Sequence, residues 1–152
     1  MRCGSIKVER GTLARAAGLA FNLGIRAPVT EEEESMSEII RAPGDASGRC
    51  RYVAANGFIW TVATAADAGD SVAEQTRVTL ARLEANLADA GSDKHHILEA
   101  VVYLTDMAKK QEMDDVWCAW IPDDGWPNRA CVGTDLAPGT LVEIKLTAQK
   151  II

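Results

Sequence analysis

Imidazole and thiol are scarce in this chain of 152 residues: two histidines stand side by side at His95 and His96, and four cysteines, Cys3, Cys50, Cys118 and Cys131, lie far apart with no CxxC pair. That spacing supports neither a zinc site nor a disulfide framework. A Walker A loop, a GxGxxG turn, a GxSxG elbow and an HExxH helix are all missing, so phosphate cradling, dinucleotide binding, elbow-serine hydrolysis and zincin chemistry lose their usual sequence support. No apolar run approaches the ~20 residues that cross a bilayer. The nearest candidate, Leu13 to Ile25, is interrupted by Arg15, Gly18, Asn22 and Gly24, and no small-residue cleavage site follows it. A dense Lys/Arg stripe is missing too. With 16 Lys+Arg against 22 Asp+Glu and a net charge of −6, the chain has little with which to neutralise phosphates, and nucleases rank low. The expectation is a cytoplasmic protein with reduced thiols, no metal or cofactor, no nucleic-acid partner and no membrane.

At 47% hydrophobic and 25% charged residues the composition is that of an ordinary globular domain, long enough to bury a core without staples. Residues 1–40 differ from the rest. They hold an Arg-containing weakly amphipathic piece, then Arg26-Ala27-Pro28, then the run Glu31 to Glu34, whose like charges resist packing. This part reads as an N-terminal extension with at most one short helix, and Met36 offers an alternative start of translation. Residues 41–152 form the expected domain.

Within it, Arg51 to Asn56 and Phe58 to Ala65 flank an Asn56-Gly57 turn and read as a hairpin. Ser71-Val72-Ala73-Glu74 is a capping box that opens a helix. Val72, Thr76, Leu80, Leu83, Leu87 and Ala90 recur at steps of three or four, which gives that helix one core-facing stripe, and Gly91 supplies a left-handed cap. Ile97 to Leu104 is apolar enough for a buried strand. Asp106 is placed to cap a second helix on which Met113, Val116, Trp117 and Trp120 share a face. Pro122 to Pro127 force a loop. Arg129 to Thr134 and Leu141 to Ala148 close the chain as strands separated by Ala137-Pro138-Gly139-Thr140. The order β-β-α-β-α-β-β predicts an α+β fold, one sheet with two helices packed on one face.

Several side chains invite a chemical reading. On the last strand the two-residue period sends Val142, Ile144, Leu146 and Ala148 to one side and puts Glu143 on the other. It stands either in water or at the wall of a pocket, where a carboxylate orients or deprotonates a water. Arg129, Cys131 and Gly133 share a face by the same alternation. Arg129 is then either a surface ion-pair member or a fork that grips a small carboxylate with two parallel N–H donors. Cys131 reads as packing, since no histidine nearby in sequence lowers its pKa. His95 and His96 read as solvent-facing loop residues.

Taken together, Gln75-Thr76-Arg77, Asn86 to Ser92, Val101 to Met107, Pro127-Asn128-Arg129-Ala130-Cys131-Val132 and Val142-Glu143-Ile144 resemble the Rid family of reactive-intermediate deaminases, also called the YjgF family, over roughly Arg51 to Gln149. The resemblance implies a chorismate-mutase-like fold assembled as a homotrimer with clefts between subunits. It implies cofactor-free hydrolysis of enamine and imine acids such as 2-aminoacrylate and 2-iminopropanoate to the 2-keto acid and ammonia. Carried over by position, Arg129 binds the substrate carboxylate, Glu143 positions the attacking water, and Cys131, Tyr52 and Thr64 line the pocket. The sequence departs from the family pattern where Cys50 replaces a Tyr at the first strand, Ala63-Thr64-Ala65 replaces Ser-Gly-Gln, Asp114 replaces an Asn, and Asn128 replaces an Ala. Two alternatives follow: a specialised deaminase of a larger enamine, such as an aminomuconate-type intermediate, and a non-catalytic ligand-binding or holdase-like homologue. Trp60, Trp117, Trp120 and Trp126 are read either as walls that reshape the cleft or as packing.

Overall fold

The computed structural model describes residues 38–151. The glutamate run, Met36 and most of the expected extension lie outside the described residues. Strand β1 (Ile40–Pro43) leads into β2 (Cys50–Ala55) and β3 (Phe58–Thr64); helix α1 (Val72–Asp89), strand β4 (Ile97–Leu104), helix α2 (Lys110–Trp120) and strands β5 (Asn128–Gly133) and β6 (Val142–Gln149) follow. The six strands form one sheet in the order β1-β2-β3-β6-β4-β5, antiparallel throughout except for β4 beside β5. The α+β expectation holds.

Local chemistry accounts for most of the elements. Asn56 and Gly57 both take positive φ, 51° and 77°, the turn whose twist matches a two-residue hairpin. Ser71 accepts from the Glu74 amide at 3.3 Å and starts α1. The other half of the capping box is not made: the Glu74 carboxylate accepts from Arg77 instead, because a guanidinium one turn on is a stronger donor than the serine amide. At the far end the Ser92 amide reaches Leu87 O and the Gly91 amide reaches Ala88 O, the paired bonds of a Schellman cap with Gly91 at φ 82°. Asp106 caps a short 3-10 turn, Met107–Lys109, that runs into α2 rather than capping α2 itself.

The sequence reading missed β1. Only Ala42 of its four residues is buried, so no alternation of two periods is available to read. It forms an edge, paired to β2 with a bulge that leaves Arg51 unopposed.

Both helices lie on one face of the sheet. Leu80, Leu83 and Leu87 of α1 and Met113 and Trp117 of α2 pack over Ile59, Val102, Ile144 and Leu146. Each fully buried aliphatic side chain there contributes about 1.5–3 kcal/mol. Gln75, completely buried, fastens the far side of this layer: its amide donates to Gly69 O and Gly139 O and accepts from the Leu141 amide. The start of β6 is thereby fixed to α1. The other face of the sheet is left uncovered, and Phe58, Trp60, Val62 and Val132 stand exposed on it.

Candidate active site

Glu143 sits second in β6, between Thr64 of β3 and Tyr103 of β4. It is half-buried, and among the described residues it makes no salt bridge or side-chain hydrogen bond. Together with Thr64, Ala63, Cys50 and the loop Gly44–Arg49 it lines a groove of about 640 Å³ at the end of β2 and β3. Three arginines border the groove. Arg82 donates to Thr64 O and to Asp67, both at 2.6 Å, and Arg51 donates to Pro43 O, Asn86 and Asp89. These two therefore shape the walls; Arg49 has no such partner among the described residues.

Arg129 belongs to a different constellation. It is second in β5, an edge strand, and points to the helix face, where Nη2 donates to Asp114 Oδ1 at 2.6 Å and the guanidinium lies 5.1 Å from the centroid of the Trp117 ring. Lys110, one turn before Asp114, holds its other oxygen, Oδ2. Burial pushes the Asp114 carboxyl up, but the hydrogen bonds from Lys110 and Arg129 outweigh it and keep the group below the usual carboxylate range. Cys131 lies on the same face, level with Val102; burial pushes its thiol up, against the pull of Lys110 and Arg129. It is held as a thiol, not a nucleophile.

Within one chain the structure does not bring Arg129 and Glu143 together. Register places Arg129 level with Ala100 on the helix face and Glu143 level with Tyr103 on the open face, so two strand spacings, about 10 Å, a further rise of about 10 Å along β4, and the thickness of the sheet separate them. Glu143 and Thr64 share the groove; Arg129 and Cys131 share the β5 edge. Tyr52 joins neither. It is buried beneath α1 with its hydroxyl on Asp89 O at 3.4 Å, and burial, then the charge of Asp89, raises its phenol pKa. Cys50 and Arg51, just before it on β2, reach the groove.

Of the tryptophans, Trp117 is core, Trp120 donates to Glu84, Trp60 stands on the open face with Phe58, and Trp126 is 75% exposed on the loop before Arg129. His95 pairs with Asp124 and His96 with Asp93 at the surface. No group of three or more metal-binding side chains occurs among the described residues, and none of their helices is long and apolar enough to cross a membrane. Sequence reasoning passed over Arg51, Arg82, Asp67 and Lys110. The Lys110–Asp114 spacing of four on a helix was a readable signal; the others meet the groove only through long-range pairing.

A single mixed sheet of six strands with two helices on one face is the α+β fold of the solved relatives. Residues 48–150 match the family described as Endoribonuclease L-PSP, and the chain belongs to that family, the YjgF or Rid family. A solved member of the YjgF family from Neisseria meningitidis is 41% identical, with a TM-score of 0.73 over 77% of this chain and 98% of that one. A Rid-family protein from Yersinia pestis is 25% identical, with a TM-score of 0.65 over 72% and 93%. A RutC family protein from Haemophilus ducreyi is 40% identical over 76 residues, 49% of this chain. The matched stretch spans 65% of that relative's length.

Proposed function

We propose that this chain is a cofactor-free hydrolytic deaminase of small enamine and imine acids, acting as a homotrimer whose clefts join the Arg129 edge of one subunit to the Glu143 groove of the next. The observation that carries the reading is the division itself. One chain holds an oriented guanidinium whose neighbouring carboxylate, Asp114, is already bound to Lys110 and Arg129, and on the other face a carboxylate, Glu143, at the wall of a groove and without a side-chain partner among the described residues. Each half lacks what the other offers. The uncovered apolar residues Phe58, Trp60, Val62 and Val132 supply a reason to assemble, since a patch of this kind in water marks an interface.

The chemistry asks little of the protein. Arg129 grips the substrate carboxylate and Glu143 orients a water, taking its proton as the oxygen bonds to the imine carbon. Glu143 passes that proton to the nitrogen to give the carbinolamine; its C–N bond then breaks as the nitrogen takes the hydroxyl proton and leaves as ammonia, and the carbonyl of the 2-keto acid forms. One water is consumed per turnover. Placement and exclusion of bulk solvent supply the rate enhancement.

The alternative substrate, a larger enamine of the aminomuconate type, would be hydrolysed by the same reaction. RNA cleavage, which the family's description names, draws no support from a chain of net charge −6 whose groove arginines Arg51 and Arg82 are bound to acids.

The test is direct. Freshly generated 2-aminoacrylate and longer enamine acids are mixed with the protein, and loss of the imine is followed. Acceleration that Arg129→Ala abolishes supports the reading. Intact trimers that leave the uncatalysed rate unchanged with every substrate leave the non-catalytic binding homologue instead.

A further inference from the structure

Arg129 does not meet a ligand as a lone cation. Asp114 takes one donor of its guanidinium, and such a pair by itself carries no net charge and has little attraction left for a second carboxylate. Lys110 changes that balance. It binds the other oxygen of Asp114, so the three side chains carry one net positive charge between them. Donors remain to spare: an ammonium has three N–H bonds and a guanidinium five, while Asp114 occupies one of each and Met113 Sδ, at 3.9 Å from Arg129 Nη1, is a weak acceptor. Trp117 covers one face of the guanidinium and leaves its edge to the ligand.

The cluster is also held rather than adventitious. Side-chain exposure is 21% for Arg129 and 18% for Asp114, which limits solvent screening, while Lys110 at 39% reaches outward. It lies at the outer edge of the sheet, beside a strand with no neighbour on its far side.

We infer that Lys110 is a second carboxylate-binding residue of this site and Asp114 the acid that sets the net charge of the cluster, the three together forming a recognition unit for one carboxylate of the substrate. The inference rests on the deaminase reading for the substrate but not for the binding, which any small 2-keto acid reports. In this arrangement Lys110 restores the charge that Asp114 removes. A role confined to tying α2 to β5 would give Lys110 no influence on ligand affinity.

The experiment measures pyruvate binding to the full chain by calorimetry, with KM for the imine alongside. Lys110→Met makes the cluster neutral and raises the Kd for pyruvate and KM by the same factor, roughly five- to tenfold, the effect of one nearby and partly screened charge. Lys110→Arg keeps the charge and retains binding. Asp114→Asn leaves two positive charges and tightens binding. The double variant Lys110→Met with Asp114→Asn returns to one charge and to an affinity near that of the unaltered chain, a compensation that independent structural damage does not produce. Lys109→Met removes the same charge from an exposed neighbouring position and changes nothing. Pyruvate affinity that ignores Lys110→Met, additive losses in the double variant, or no binding by the unaltered chain overturns the inference. Failure of turnover with these affinities intact overturns the deaminase reading alone.

Discussion

Arg129 and Glu143 stand on opposite faces of one sheet, on strands separated by β4. No rotamer change joins them, because the sheet itself, with β4 between their strands, stands between them. A site that uses both must draw them from two chains.

That requirement gives the first prediction. Arg129→Ala and Glu143→Gln each abolish imine hydrolysis when prepared alone. Unfolded together and refolded as mixed trimers, they regain activity in roughly a quarter of the clefts, those that receive the intact arginine from one subunit and the intact glutamate from its neighbour. Imine loss measured on the mixture, against each variant refolded separately, decides the point; no recovery means that the two residues do not share a cleft.

Trp60 supplies a second prediction. It lies on the open face beside Phe58, with ring centroids 6.2 Å apart, and it has no role in the core. Trp60→Glu places a charge in the face proposed to meet the neighbouring subunits, where burying it unpaired is costly. The variant runs as a folded monomer in sedimentation, with unchanged far-UV circular dichroism and no turnover. A trimer that survives the substitution places the interface elsewhere.

Gln75 is the third. Its side chain satisfies two carbonyls and one amide of the segments around Gly69 and Gly139–Leu141. Gln75→Leu has a similar volume but leaves these groups without partners, at a cost of roughly 2–4 kcal/mol. Urea denaturation reads the loss, which falls on the lead into β6 and so also loosens Glu143. The glutamine looked like part of a family motif in the sequence; the structure gives it a physical reason.

How much was legible divides along the range of the interactions. The Asn56-Gly57 hairpin, the stripe from Val72 to Ala90, the cap at Gly91 and strand β4 were readable because each is fixed by neighbours within a few residues. Strand β1 was not, since four residues with one buried side chain carry no period. The alternation of β6 correctly put Glu143 off the core face. That Arg129 lies on the opposite face was not readable, because alternation sorts residues within a strand and says nothing of which face two strands share until their register is known. That Tyr52 is buried beneath α1 was not readable either, because its burial depends on α1 crossing above it. The groove arginines meet their acids across 15 to 38 residues of chain, beyond any local pattern.

Asp114 gives the last prediction, in pH. Its pKa is lowered in the folded chain from an ordinary value of 3.8, as the bonds from Lys110 and Arg129 outweigh burial. A group depressed in the folded state binds its proton more readily when unfolded, so its stabilisation is fully present above the unfolded value and is lost as pH falls through the lower, folded one. At neutral pH, Asp114→Asn should therefore be less stable than the unaltered chain by about 1–3 kcal/mol, a range reduced from that of a fully buried pair because both partners retain some exposure. On acidification below about 3.8 the gap narrows, since protonation gives the natural chain the same neutral group. Urea unfolding of both proteins across this window measures the difference. Parallel curves would mean that the carboxylate is not bonded to Lys110 and Arg129 in solution, and the shared-charge account of the β5 edge would fail with it.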